Sequence, residues 1–133
     1  EAFLQRGDPP IVFTLGSSGM LNAGSFYEDS AAAAHKLGQR AVLITGKEPG
    51  NKPRSLPDGV MICEYVPFAP LFSRASLIVH IGGVGTTGLA MRSGVPMLIV
   101  PQAHDQFDHA ARVTRLGIGR KLLKSRYSFE NVV

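Results

Sequence analysis

The chain has 133 residues and a net charge of +4; 44% of its residues are hydrophobic and 18% are charged. This length is typical of one domain, and the apolar share is sufficient for a packed core, so a disordered chain is excluded. No apolar run reaches the about 18 residues of a membrane span. A single cysteine, Cys63, excludes an internal disulfide. Its apolar surroundings predict a buried thiol, which is compatible with a reducing, cytoplasmic location.

The two ends of the sequence predict a piece of a longer protein. Glu1–Pro9 has neither an initiator methionine nor the apolar core of a signal peptide. Ser128–Asn131 resembles the start of a helix that is cut short.

Basic residues are concentrated near the C-terminal end, where six of the fourteen lie between Arg112 and Arg126. This density would suit an anionic partner such as a membrane surface, to which the protein would be peripheral. The alternative is a solvated helix face and strand edge. We do not expect nucleic acid as a partner, because these residues are not interleaved with aromatics and no nucleic-acid-binding motif is present.

Short apolar runs alternate with helical stretches along the whole chain. The predicted strands are Ile11–Leu15, Ala41–Ile44, Val60–Tyr65, Leu77–His80, Met97–Val100 and Arg120–Leu123. The predicted helices are Asn22–Leu37, Phe68–Arg74, Thr86–Ser93 and Asp105–Leu116. Continuously apolar strands are typical of a parallel sheet covered on both faces. The pattern predicts one α/β domain with a Rossmann-like, doubly wound parallel sheet of about six strands, for which 3-2-1-4-5-6 is a common order.

Two glycine-rich loops follow predicted strands. Gly16-Ser17-Ser18-Gly19 follows the first strand, and Gly82-Gly83-Val84-Gly85-Thr86-Thr87 follows the fourth. Glycines allow a ligand close to the backbone, and the N–H groups at a helix start attract phosphate. In the order 3-2-1-4-5-6 both loops meet at the switch point. We therefore expect a diphosphate to contact Ser17, Ser18, Gly85, Thr86 and Thr87. The alternative for the first loop is a tight turn.

Other phosphate-binding motifs are absent. The first loop lacks the G-x-G-x-x-G spacing of dinucleotide-binding domains, and Gly46-Lys47 is not followed by Ser or Thr as in a P-loop. A plain dinucleotide-binding domain is therefore the least favoured reading.

Polar residues follow the fourth and fifth strands. His80 precedes the second loop, so we expect it to donate a hydrogen bond to a phosphate oxygen, with its charge contributing. The alternative is a structural histidine. Asp105-Gln106 would suit recognition of sugar hydroxyls, but an aspartate at a helix start also suits a plain cap. The spacing leaves both alternatives open.

These motifs together resemble the donor signature of family 1 glycosyltransferases, in particular the bacterial antibiotic and sterol glucosyltransferase type. The resemblance rests on His80–Thr87, Gly94-Val95-Pro96, Pro101 and Asp105-Gln106. Tyr65-Val66-Pro67 lies at the spacing of the base-binding loop in that family, and Phe13–Ser17 resembles its first strand and loop.

The resemblance implies the C-terminal, donor-binding half of a GT-B fold, spanning residues 1–133, with an N-terminal acceptor-binding half outside this chain. It implies that Tyr65 and Val66 hold the base and that Asp105 and Gln106 contact the sugar. The implied diphosphate contacts are Ser17, Ser18, His80, Gly82, Gly83, Gly85, Thr86 and Thr87. The implied reaction is inverting transfer from a UDP- or dTDP-sugar to an acceptor hydroxyl, with no metal or other cofactor.

The catalytic base of this family is a histidine of the N-terminal half. We therefore assign no catalytic residue to this chain, and none of His35, His80, His104 and His109 is expected to be the base. The chain alone is expected to bind donor without turnover. Alternatives are a stand-alone binding subunit with a separate partner chain and a GT-B nucleotide-sugar epimerase.

Three departures from the family pattern affect the nucleoside end of the site. Plant members have a glutamate for the ribose at the position of Gly88 and a glutamine at the position of Phe68. The tryptophan of the base loop is absent, which leaves Tyr65 as the aromatic residue there.

Overall fold

The computed structural model describes residues 7–15, 24–47, 49–53, 56–102 and 105–122. These residues form a parallel sheet with flanking helices. The strands are β1 (Ile11–Thr14), β2 (Ala41–Ile44), β3 (Val60–Cys63), β4 (Leu77–His80), β5 (Met97–Ile99) and β6 (Gly119–Lys121). The helices are α1 (Phe26–Lys36), α2 (Phe68–Phe72), α3 (Val84–Ser93) and α4 (Gln106–Leu116), with a 3-10 turn at Pro49–Asn51.

The strand order is β3-β2-β1-β4-β5-β6, and every neighbouring pair is parallel. This confirms the predicted fold class and strand order. The order reverses between β1 and β4, where Phe13 lies beside Val79. Because parallel strands end at the same edge, the segments that leave β1 and β4 begin next to each other, at the position where such sheets bind ligands.

The core lies in the central strands, whose side chains are buried along their whole length in β1 and β2. Apolar residues on both faces are needed because helices cover the sheet. Helix α1 contributes small buried side chains, Ala31, Ala33 and Ala34, which allow close packing. Cys63 at the end of β3 is half-buried, and burial raises the pKa of its thiol. The thiol is less buried than the sequence predicted, but its raised pKa agrees with an unreactive structural cysteine.

Most elements differ from the sequence prediction by a few residues at their ends, and two of these differences affect the site. Strand β3 ends at Cys63, so Tyr65 lies beyond the strand with 67% of its surface exposed. Helix α3 begins at Val84, which places Gly85 and Thr86 in its first turn. Strand β6 begins at Gly119, where a Cβ would lie 2.7 Å from Val113 Cγ1, so only glycine fits beneath α4.

Tyr27 joins the ends of β1 and β2. It is 1% exposed; its hydroxyl donates to the Ile44 carbonyl at 2.5 Å and accepts from the Leu15 N–H at 3.3 Å. Burial raises the pKa of Tyr27, so the hydroxyl remains a donor. This contact fixes the backbone at the point where the first glycine-rich loop leaves β1.

We expect Tyr27→Phe to lower the free energy of unfolding by about 1–3 kcal/mol, because two buried backbone groups lose a partner. Chemical denaturation of both proteins measures this difference. Tyr65→Phe, at an exposed position, is the matched control and should stay within about 0.5 kcal/mol of the unsubstituted chain. An equal, small change in both variants would mean that the hydrogen bonds of the Tyr27 hydroxyl do not stabilise the ends of β1 and β2.

In the described ranges, no helix is both long and apolar enough to cross a membrane. Of the basic cluster, Arg112 is engaged with Asp108 on the same helix, with Nε 2.9 Å from Oδ2. Lys124 and Arg126 lie outside the described residues. Contact with an anionic surface therefore stays a prediction.

Candidate functional site

The second glycine-rich loop connects β4 to α3 at the switch point. Gly83 is the N-cap residue of α3, and no side chain caps this helix start. The first intrahelical bond runs from the Thr87 N–H to the Gly83 carbonyl at 2.8 Å. The N–H groups of Val84, Gly85 and Thr86 therefore have no acceptor within the helix. Together with the helix dipole they form a site of positive potential suited to an anion.

Thr87 carries a buried hydroxyl without a partner. The residue is 7% exposed, and among the described residues its Oγ1 is the one buried side-chain oxygen or nitrogen that makes no hydrogen bond. A buried hydroxyl without a partner lowers the free energy of unfolding by about 1–3 kcal/mol unless a ligand or solvent forms a hydrogen bond with it. It lies one turn after the uncapped N–H groups, but the oxygen itself is buried, so its contact with a ligand stays a prediction.

Gly82 lies where the loop after β4 meets the start of α4. Its φ is +92°, and a Cβ there would lie 3.0 Å from Ile99 Cγ2 and 3.1 Å from the Gln106 carbonyl oxygen. The loop after β4 therefore packs directly on the first residue of α4. The motifs around His80–Thr87 and Asp105-Gln106, separate in sequence, meet at this glycine.

His80 does not have the environment expected for it. The residue has no exposed surface; its Nδ1 accepts from the Gly82 N–H at 3.0 Å, and its Nε2 lies 3.2 Å from Met97 Sδ. Burial, and secondarily the charge of His109, lower the pKa of His80 to about 4. The predicted positive charge on His80 is therefore wrong at neutral pH. In this structure the ring fixes the Gly82 backbone and presents no atom to the crevice.

Asp105 and Gln106 differ in exposure and in hydrogen bonding. Asp105 occupies the N-cap position of α4 but makes no capping hydrogen bond, and its side chain is 65% exposed. The cap alternative is thus excluded here, and the carboxylate faces solvent. Gln106 is 7% exposed, and its Oε1 accepts from the Gln102 N–H at 2.9 Å. That oxygen holds the segment after β5, so contact of Gln106 with a sugar stays a prediction.

His109 is a site residue that the sequence did not single out. Its Nδ1 lies 2.5 Å from the Gly82 carbonyl oxygen, and its Nε2 lies 3.9 Å from Asp105 Oδ2. The signal available in the sequence was the i, i+4 spacing from Asp105, which places both side chains on one face of α4. The spacing alone does not reveal the contact with a loop 27 residues earlier.

The predicted base-binding residues lie between β3 and α2. Tyr65 is exposed, whereas Val66 is half-buried against the core. Helix α2 follows directly and packs against α3. The segment that contains Tyr65 and Val66 therefore runs from the edge strand β3 to a helix that packs against α3, whose start forms the anion site. Ser17 and Ser18, the other predicted diphosphate contacts, lie outside the described residues, as does His104.

The protein-family model for the C-terminal domain of erythromycin biosynthesis protein CIII-like proteins matches residues 28–132. The chain belongs to this family. It is 37% identical over 118 residues to the vancomycin aglycone glucosyltransferase of Amycolatopsis orientalis, covering 89% of this chain and 28% of that protein. The chain thus spans less than a third of that relative, and the family places it among the C-terminal domains of glycosyltransferases.

Solved structures agree with this family assignment. The glycotransferase of kitacinnamycin superposes with a TM-score of 0.85 at 28% identity, covering 96% of this chain and 35% of that one. Spinosyn rhamnosyltransferase SpnG complexed with thymidine diphosphate superposes with a TM-score of 0.77 at 31% identity, covering 86% of this chain and 32% of that one. The fold is therefore that of the GT-B glycosyltransferases, as the motif resemblance implied.

Two apolar cavities lie away from this site. Their volumes are about 270 and 360 Å³, and both are lined by Pro96, Met97, Gly117 and Ile118. These residues lie at the amino ends of β5 and β6, the opposite edge of the sheet. They are separate from the uncapped start of α3.

Proposed function

We propose that this chain binds a nucleoside-diphosphate sugar, UDP- or dTDP-linked, as the donor-binding half of an inverting glycosyltransferase. The observation that carries the proposal is the uncapped start of α3 with the partnerless Thr87 hydroxyl one turn on. Membership in a family of glycosyltransferase C-terminal domains supports it. So does the thymidine diphosphate named in the complex of the related SpnG.

The diphosphate would be held by dipoles, since residues 80–87 contain no Lys or Arg. The free N–H groups of Val84, Gly85 and Thr86 would donate to phosphate oxygens, and the Thr87 hydroxyl would add a donor. Such preorganised donors strengthen as negative charge develops on the departing diphosphate, which lowers the barrier to sugar transfer. The exposed Asp105 carboxylate would accept from sugar hydroxyls, and the exposed Tyr65 ring offers a flat apolar face to the base.

We assign acceptor binding and the catalytic base to a part of the protein outside these residues. The share of the vancomycin aglycone glucosyltransferase that this chain covers, 28%, leaves room for such a domain in that relative. The isolated chain should accordingly bind donor without releasing sugar from it. Transfer or rapid hydrolysis by these 133 residues would overturn this assignment.

Isothermal titration calorimetry with UDP, dTDP, NAD and the corresponding UDP- and dTDP-glucose tests donor binding. We expect UDP or dTDP to bind and NAD not to bind, and addition of EDTA to leave the affinity unchanged because helix N–H groups hold the phosphates without a metal. Binding of NAD with no binding of UDP or dTDP would refute the proposed function. Loss of binding on adding EDTA would refute the metal-free site.

Thr87→Val separates stability from binding at this site. We expect the free chain to become more stable by about 1 kcal/mol, because a buried hydroxyl without a partner is replaced by a methyl group of the same shape. We expect dTDP affinity to fall about tenfold, because a donor to phosphate is lost. Thermal denaturation and calorimetry measure the two effects.

Thr114→Val is the matched control for Thr87→Val. Thr114 also lies in a helix, but its hydroxyl donates to the Ala110 carbonyl at 2.8 Å. Its replacement should bring no gain in stability and leave dTDP binding unchanged. If Thr87→Val instead destabilised the free chain, the Thr87 hydroxyl would have a partner after all, and its role as an open donor would be lost.

A further inference from the structure

His109 contacts both parts of the predicted donor site with one ring. Its Nδ1 lies 2.5 Å from the Gly82 carbonyl oxygen in the loop before α3, and its Nε2 faces Asp105 Oδ2 at 3.9 Å. The ring is held between these groups, with only 20% of its side chain exposed. Since a carbonyl oxygen only accepts hydrogen bonds, Nδ1 must carry a proton. The nitrogen that faces the Asp105 carboxylate, Nε2, then carries a proton only when the ring is charged.

Gly82 is held from both sides by histidines of different elements. Its N–H donates to His80 Nδ1 at the end of β4, and its carbonyl accepts from His109 on α4. Its φ of +92° and the close approach of Ile99 and Gln106 to the place of a Cβ leave no room for a side chain there. The two histidines therefore determine the orientation of both peptide planes that flank Gly82.

The orientation of the Gly82 carbonyl sets the direction of the next N–H group. A trans peptide is planar, with its C=O and N–H antiparallel. Because the Gly82 carbonyl points to His109 on α4, the Gly83 N–H points away from α4. It thereby joins the N–H groups of the α3 start, none of which has an intrahelical acceptor. One side chain of α4 thus determines where the first donor of the anion site points.

We propose that His109 is a positioning residue that couples the diphosphate loop to the sugar-facing carboxylate of Asp105. This rests on the proposed function. In it, the Nδ1–H contact holds the Gly83 N–H toward the diphosphate. When Nε2 also carries a proton, the charged ring attracts the Asp105 carboxylate 3.9 Å away, which makes no cap contact and is 65% exposed. Loss of the first contact should lower the affinity for a nucleoside diphosphate, whereas loss of the second should lower only the additional affinity that the sugar contributes.

Two substitutions separate the contacts. His109→Leu removes both, whereas His109→Asn retains a side-chain N–H near the position of Nδ1 but has no atom in the place of Nε2. We expect His109→Leu to weaken dTDP binding about tenfold, and His109→Asn to restore most of that affinity. With His109→Asn, however, the difference in affinity between dTDP-glucose and dTDP should fall to the value measured for Asp105→Asn. The double variant His109→Asn/Asp105→Asn should show no further loss, because the two residues act together.

Calorimetry with dTDP and dTDP-glucose measures these changes, with His35→Leu as the matched control. His35 is an exposed histidine of α1 and should change neither affinity. If the unsubstituted chain bound dTDP and His109→Leu bound it equally well, the positioning role would be refuted while the proposed function stood. If the unsubstituted chain bound no nucleoside diphosphate, the proposed function itself would fail, and with it the role of His109.

A measurement on the unsubstituted chain covers the case in which His109→Leu fails to fold. Long-range ¹H–¹⁵N NMR at pH 8 reports which ring nitrogen of a neutral histidine carries the proton. We expect the proton of His109 on Nδ1, as the Gly82 contact requires. A proton on Nε2 would overturn the proposal without any variant.

Discussion

Acidification from pH 7 to pH 5 is expected to lower the free energy of unfolding by about 2 kcal/mol through His80 alone. Burial lowers the pKa of His80 to about 4 in the folded chain, against 6.5 for an ordinary histidine. Between these values the unfolded chain binds a proton that the folded chain does not. The stability due to the neutral ring is therefore fully present above pH 6.5 and is lost as the pH falls through 4, with a total loss of about 3 kcal/mol.

The measurement is urea denaturation at several pH values between 7 and 5, on the unsubstituted chain and on His80→Asn. Asparagine keeps an acceptor for the Gly82 N–H but does not titrate in this range. The variant should be less stable at pH 7, because it leaves a cavity, and should lose about 2 kcal/mol less on acidification. His35→Asn, at an exposed histidine, should keep the pH dependence of the unsubstituted chain. An identical dependence in His80→Asn would mean that the His80 ring can take up a proton in the folded chain as readily as in the unfolded chain.

Features that follow from local pattern were predictable for this chain. Continuous apolar runs and strand–helix alternation indicated a parallel sheet, and the predicted helices end at Ser93 and Leu116, which are followed by Gly94 and Gly117. Both adopt the left-handed conformation, with φ of 73° and 76°. The meeting of the β1 and β4 segments then followed from a common strand order, which the structure confirms.

Features that depend on packing between distant segments were not predictable. The burial of His80 depends on Met97, 17 residues later, whose sulfur lies against Nε2. The contact of His109 with Gly82 depends on the angle at which α4 meets the sheet. A periodicity reveals which residues share a face of one element, but not which atoms of another element face them. The sequence therefore identified the segments of the site but not which of their polar atoms are already engaged.

The balance between engaged and open atoms defines the chemistry of the site. His80, Gln106 and His109 have hydrogen bonds within the protein, whereas the first N–H groups of α3 have no intrahelical acceptor and the Thr87 hydroxyl makes no hydrogen bond. The hydrogen-bonded side chains form a frame around Gly82, and the unsatisfied donors lie in the first turns of α3. Donors that are fixed before a ligand arrives require no reorganisation when charge develops on it.

Gly82 is the residue on which this frame depends, and Gly82→Ala should have a large effect on both stability and binding. An alanine at φ +92° is strained by about 1–2 kcal/mol. Its Cβ would also lie 3.0 Å from Ile99 Cγ2 and 3.1 Å from the Gln106 carbonyl oxygen, in a buried region where neither atom can move freely. Overpacking of this kind adds about 1–3 kcal/mol. We expect the free energy of unfolding to fall by about 3 kcal/mol and dTDP binding to fall at least tenfold, because the Gly83 N–H is displaced.

Gly88→Ala is the matched control for this effect. Gly88 lies in α3, where a Cβ would meet no atom within 4 Å, so alanine there should stabilise the helix by about 0.5–1 kcal/mol. Denaturation and dTDP calorimetry on both variants give the comparison. Because strain lowers the stability of the whole chain, hydrogen exchange at the amides of α4 is compared with exchange at the amides of α1. A larger acceleration in α4 than in α1 for Gly82→Ala, with no such difference for Gly88→Ala, would show that the loop and α4 are packed as one unit. Unchanged exchange with unchanged dTDP affinity would mean that the loop moves independently of α4, and that Gly82 does not hold the two halves of the site together.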